Sequence, residues 1–171
     1  STSILTYLGP DNRSKRLMVI GLGNSKEITL EGIRKSYATA AKKLNAMKLT
    51  SVGFEVPDLA YIKSVTNASH YDIMQAICEG VFLTQYSPKK YHAKRDFVPF
   101  NEVIFFTDSP KYTREAQEAL KDAKVICDAA IVARELENEP SNFLTPDKFA
   151  EYVKKSSIKA GYQVTVFDEK K

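Results

Sequence analysis

The 171-residue sequence has no tryptophan, two cysteines and two histidines. Each scarcity removes a class of function. A disulfide framework or a zinc site needs more cysteines at tighter spacing. Cys78 and Cys127 lie far apart, each within an apolar helical pattern, and are expected as buried free thiols, which suits a reducing compartment. His70 opens a helical pattern beside Tyr71 and Asp72, and His92 sits in a basic stretch. Two histidines so separated make no metal site, and both are expected as surface or capping residues. The sequence has neither a His-Glu-x-x-His motif nor a Gly-x-Ser-x-Gly nucleophile elbow. It has no apolar run of about 18 residues, so no membrane-spanning helix is predicted. The first residues lack the charged and apolar regions of a signal peptide, and a cytoplasmic location is expected. The net charge of +4 is mild and the basic residues are mixed with acidic ones. That pattern calls for neither nucleic acid nor an anionic membrane as partner.

What is present is a regular alternation. The length suits one domain and a little more, at roughly 100–200 residues per domain. Ser3 to Leu8 reads as a strand, and Gly9-Pro10-Asp11-Asn12 as a turn. Arg16 to Leu22 is a continuous apolar run, expected as a strand buried on both faces. Thr29 is placed as the N-cap of a helix whose apolar stripe is Ile33, Tyr37, Ala40, Leu44 and Met47. Ser51 to Val56 is a strand stopped by Pro57. Ser69 to Tyr86 is a helix with Ile73, Ile77 and Val81 along one face. Residues 87–99 read as an exposed loop, and Glu102 to Thr107 as another buried strand. Tyr112 to Glu137 is the longest helical pattern, spanning about 39 Å at about 1.5 Å per residue. Thr145-Pro146 looks like an N-cap followed by proline at the first helical position. That helix is predicted to run to about Ala160 and stop at Gly161. Tyr162 to Phe167 alternates as a strand does. Strands alternating with helices predict an α/β layered fold.

Candidate chemistry is sparse. Gly21-Leu22-Gly23-Asn24 follows a strand and precedes a helix, where a phosphate loop would sit. A third glycine at the fingerprint spacing is missing, and Lys26 stands there. A tight turn that needs flexible glycine explains the same residues. Lys89, Lys90, Lys94 and Arg95 with Tyr86 and Tyr91 form a basic, aromatic patch. Such a patch could serve phosphate contact and base stacking, but a solvated loop or a subunit contact is the favoured reading. Glu135, Glu137 and Glu139 follow at steps of two, and residues two apart do not share a helix face, so they are not an obvious acid–base pair.

The most unusual stretch is Arg134-x-Leu136-x-Asn138-x-Pro140-Ser141-Asn142-x-Leu144-Thr145-Pro146, followed by Phe149-Ala150. It resembles the junction segment of the cytosolic leucyl aminopeptidases, peptidase family M17. Leu17 to Gly23 is similar to that family's Val-Gly-Leu-Gly strand and turn, and Ala76 to Tyr86 to its helix ending in Glu-Gly. The resemblance implies a three-layer, macro-domain-like mixed sheet flanked by helices, followed by a long linker helix. It implies an N-terminal domain over 1–111, the linker helix over 112–138 and the start of a catalytic domain over 139–171. In such enzymes the catalytic domain holds two divalent metals (zinc, manganese or magnesium) and hydrolyses peptides from the N-terminus. Homo-hexamers place the N-terminal domains outside. The motifs that carry those metals, Gly-Lys-Gly-x-Thr-Phe-Asp-Ser-Gly-Gly and Asn-Thr-Asp-Ala-Glu-Gly-Arg, do not occur in these 171 residues. No catalytic, cofactor-binding or metal-binding residue carries over. The expectation is a portion that is inactive alone, partners its own catalytic domain, and serves assembly and active-site access. The alternative is a stand-alone macro-domain-like module binding ADP-ribose or a nucleotide at Gly21–Asn24.

Overall fold

Thr29 opens α1 (Leu30–Ala46), its hydroxyl accepting from the Gly32 amide at 3.0 Å. This satisfies a donor that the first helical turn leaves without a partner. Ile33, Tyr37, Ala40 and Ala41 bury one side of α1, while Lys35, Lys42 and Lys43 stay exposed. The computed structural model describes residues 3–9, 11, 14–88, 97–107 and 110–167. Pro10 and Asn12 of the expected turn, and residues 89–96 of the expected basic loop, lie outside the described residues. The chain divides into two compact units, Ser1–Ile131 and Val132–Lys171.

In the first unit β1 (Ser3–Tyr7) pairs antiparallel with β2 (Arg16–Ile20), and β3 (Ser51–Glu55) pairs parallel with β4 (Glu102–Phe106). The fold is α/β, as expected, with both kinds of strand pairing. The pairs stand as separate two-stranded sheets among the described residues. The link from β3 to β4 carries α2 (Leu59–Thr66) and α3 (His70–Phe82). Asp58 caps α2, accepting from the Ala60 and Tyr61 amides at 2.9 and 3.2 Å. Ser69 and Asp72 form a reciprocal capping box at the start of α3. A 3-10 helix, Leu83–Gln85, continues α3. The helix α4 (Thr113–Glu137) buries Ala119, Ala123 and Cys127, and the boundary between the units falls within it.

The core lies where α1, α2, α3, β3 and α4 meet. Val52 and Phe54 of β3 point into it, and Val103 and Phe105 of β4 pack against it. Phe54 stacks on Phe105 at 5.8 Å, and Phe82 meets Phe105 edge-on at 6.1 Å. The opposite face of β4 carries Ile104 and Phe106, each about half exposed. β4 is therefore not the buried strand its apolar run suggested. The same correction applies to β2, where Leu17 and Val19 are 46% and 54% exposed. An apolar run gives β propensity but not the number of layers above it. Here β2 has β1 for its only strand partner among the described residues.

In the second unit α4 ends at Glu137 and α5 (Pro146–Ala160) begins at the predicted proline. Thr145 caps α5 through the Lys148 amide at 3.5 Å, and Gly161, at φ 78°, ends it by donating to the Ser157 carbonyl at 2.7 Å. Tyr162 to Phe167 forms no strand, contrary to its alternation. A strand needs a neighbour to satisfy its backbone, and among the described residues none pairs with this segment.

α1 and α3 approach so closely that a β-carbon on Gly80 would lie 2.5 Å from the Arg34 carbonyl oxygen and 3.2 Å from Tyr37 Cβ. Only glycine fits without moving one helix backbone. Gly80→Ala is expected to lower unfolding stability by roughly 1–3 kcal/mol through overpacking, despite alanine's better helix propensity. Urea unfolding reads this as a lower midpoint. An unchanged or higher midpoint would show that the helices are not locked at this distance.

Candidate functional site

Four places in the chain gather groups capable of chemistry or recognition, beginning with the glycine turn. Gly23 adopts φ 98°, and Asn24 caps a three-residue 3-10 helix, Ser25–Glu27, by accepting from the Lys26 amide at 3.2 Å. The left-handed backbone explains Gly23. The α-helix proper starts only at Leu30, so no run of helical amides points back at the turn.

The second place is His70. It is not a surface residue: its side chain is 12% exposed, and its ring lies 3.8 Å, centroid to centroid, from that of Tyr112. Nδ1 sits 3.3 Å from the Glu115 carboxylate, while Nε2 is buried with no hydrogen-bond partner among the described residues. Close by, the Tyr71 hydroxyl donates to Asp122 at 2.7 Å, and that bond raises the Tyr71 pKa. These contacts fasten the first turns of α4 to the start of α3. Sequence spacing gave no hint of them, because His70 and Glu115 are 45 residues apart.

The third place is the thiol pair. Cys78 and Cys127 are both buried, and neither is in a disulfide among the described residues. Burial, helped by the charges of Cys127 and Glu79, pushes the Cys78 thiol up to about 12. Only the thiolate is nucleophilic, so Cys78 is inert in the folded chain. Burial likewise raises the Tyr37 hydroxyl, which donates to the Glu55 carbonyl at 2.5 Å.

The fourth place is the junction. Asn138 folds back on the Arg134 carbonyl through its backbone amide at 3.0 Å and its side-chain amide at 2.7 Å. The Phe143 and Leu144 amides donate to the Pro140 carbonyl at 2.8 and 2.9 Å. Its prolines and asparagines thus stop one helix, turn the chain and start the next. Of the patch residues, Tyr86 lies in the described residues, whereas Lys89, Lys90, Tyr91, Lys94 and Arg95, and also His92, do not. Among the described residues no three His, Cys, Asp or Glu side chains gather as metal ligands. The described residues offer no donor set that fits the two divalent ions implied by the resemblance. No helix among the described residues is long and apolar enough to cross a membrane.

The sequence profile of the cytosol aminopeptidase family, N-terminal domain, matches residues 1–95. The chain belongs to this family. Similar members include a probable cytosol aminopeptidase of Thermosynechococcus vestitus, 31% identical over 170 residues, which cover 98% of this chain and 32% of that protein. One from Clostridium perfringens is 30% identical over 163 residues, covering 93% and 31%. The chain thus spans about a third of the length of the curated family members it matches. Among solved structures, the bottromycin maturation enzyme BotP in complex with Mn matches with a TM-score of 0.66 and 22% identity, over 94% of this chain and 31% of that one. That likeness is one of fold.

The Cys78 shift sets a pH dependence. The unfolded chain releases this proton near the ordinary value of 9.0, whereas the folded chain holds it to about 12. The associated stability is present in full below pH 9 and is lost as pH rises toward 12. Tyr37 acts in the same direction. Urea midpoints from pH 8 to pH 10.5 are expected to fall, and to fall less steeply in Cys78→Ala. An equal slope in both proteins would contradict the assignment.

Proposed function

We propose that this chain is the non-catalytic N-terminal portion of an M17-like leucyl aminopeptidase. Its full-length parent releases N-terminal amino acids from peptides by two-metal hydrolysis. The observation that carries this reading is the match of the family's N-terminal domain to residues 1–95, in a chain that spans about a third of its relatives. Residues 1–111 are the N-terminal α/β domain, 112–138 a linker helix and 139–171 the opening of the catalytic domain. A pair of divalent ions in the remainder of the parent, zinc, manganese or magnesium, would polarise the scissile carbonyl and activate water.

The portion's own work is assembly and control of access to the active site, within a cytoplasmic homo-hexamer. Supporting this are the match of the family's N-terminal domain to residues 1–95 and a junction in which Asn138 and Thr145 make helix-ending and helix-starting hydrogen bonds.

The test is hydrolysis of leucine amide with added Mn²⁺, comparing the purified 171-residue chain with the full-length parent. Turnover by the parent and background rates for the chain are expected. Robust turnover by the chain would overturn the reading.

A further inference from the structure

A cavity of about 850 Å³ opens in the first unit between the two sheets. Every residue of β2 and every residue of β3 lines it, whereas β4 contributes only Ile104 and Phe106. Alternate residues mark a sheet face. Consecutive residues mark a strand edge, because successive side chains point to opposite faces. The cavity is therefore bordered by the edges of β2 and β3, with Tyr37, Ala40 and Leu44 of α1 on one side and Ile104 and Phe106 of β4 on the other.

The hydrogen-bond registers identify what those edges present. The Leu8 amide donates to the Lys15 carbonyl at 3.0 Å, continuing the register in which Thr6 faces Leu17 and Ile4 faces Val19. In an antiparallel ladder every second pair is hydrogen-bonded. The backbones of Leu17 and Val19 thus turn toward β1, and those of Arg16, Met18 and Ile20 turn away from it. On β3, the Val56 amide donates to Phe106 and the Thr50 carbonyl accepts from Glu102, at 2.8 and 3.1 Å. Even-numbered residues there face β4, and Ser51, Gly53 and Glu55 face the other way. The Tyr37 hydroxyl on the Glu55 carbonyl agrees with that parity. Two rows of strand backbone that no strand pairs among the described residues therefore border one slot, with half-exposed Leu17, Val19, Ile104 and Phe106 around it.

Strand edges with unused donors and acceptors are templates for another strand, and addition of an extended segment satisfies them through main-chain bonds. We propose that the slot between β2 and β3 takes one extended strand of the parent polypeptide from outside these 171 residues, joining both sheets into one. The proposal rests on reading the chain as part of a longer parent. The parent is favoured as the source because the curated relatives are about three times as long as the chain. Its successive side chains would point alternately to Tyr37, Ala40 and Leu44 of α1 and to Ile104 and Phe106 of β4.

Amide hydrogen exchange on the 171-residue chain and on the full-length parent tests this. Leu17 and Val19, already in the β1–β2 ladder, serve as internal standards. The Met18, Ile20 and Gly53 amides are expected to exchange fast in the chain and roughly a hundredfold more slowly in the parent, approaching the standards. Fast exchange in both proteins would overturn the proposal. So would protection in the chain at every concentration, which would mean the edges pair with each other. Protection in the chain that grows with concentration would assign the slot to a second copy and overturn the parent as source. No hydrolysis is measured, so a parent without aminopeptidase activity would defeat the functional reading while leaving the exchange pattern to decide on the strand.

Discussion

The approach of α1 to α3 at Gly80 is the constraint on which the first unit depends. With no β-carbon there, the backbone of α1 from Arg34 to Ala38 lies directly against α3. The contact brings the fully buried Ile33, Ile73, Ile77 and Val81 into one core. Each such side chain is worth roughly 1.5–3 kcal/mol when buried. The polar contacts at the seam are smaller but set its register. The Arg34 guanidinium bonds Glu79 at 2.8 Å, and Gln75 bonds the other Glu79 oxygen at 3.0 Å. Burial alone would lower the Arg34 pKa, yet its bonds to Glu31 and Glu79 outweigh that and raise it. By contrast, Lys124–Asp128 and Glu151–Lys155 are exposed pairs one helical turn apart. Pairs of that kind contribute roughly 0.3–0.5 kcal/mol, too little to decide the fold.

From this seam the rest of the unit follows. β3 lies against it through Val52 and Phe54, and β4 joins β3 through Phe105. α4 is fixed by small buried residues, Ala119 and Ala123, and by the polar clasp of His70, Tyr112 and Glu115. The outer sides of β2 and β4 are left apolar and half exposed. The fold is thus well determined along its helices and open along its strands.

Signals carried by neighbouring residues were legible in the sequence. Thr29, Thr145-Pro146 and Gly161 mark helix ends through local backbone chemistry, and all act as caps or stops there. The α/β class was likewise readable from alternation, and the family from the Arg134–Pro146 motif. What was not legible depends on partners distant in sequence. The burial of β2 and β4 turns on what covers them. Tyr162–Phe167 has the alternation of a strand without a partner among the described residues. α2 is eight residues long, too short for a periodic signal, although Asp58 after Pro57 is a capping cue. The surroundings of His70 come from residues more than 40 positions away.

The central proposal is that the chain is a portion of a metallo-aminopeptidase and does not itself hold the metals; its support is the match of the family's N-terminal domain to residues 1–95 in a chain about a third as long as its relatives. Equilibrium dialysis of the purified 171-residue chain against Mn²⁺ tests that claim most directly. The account predicts no stoichiometric uptake by the chain and uptake by the full-length parent. Two equivalents of Mn²⁺ retained by the chain alone would contradict it.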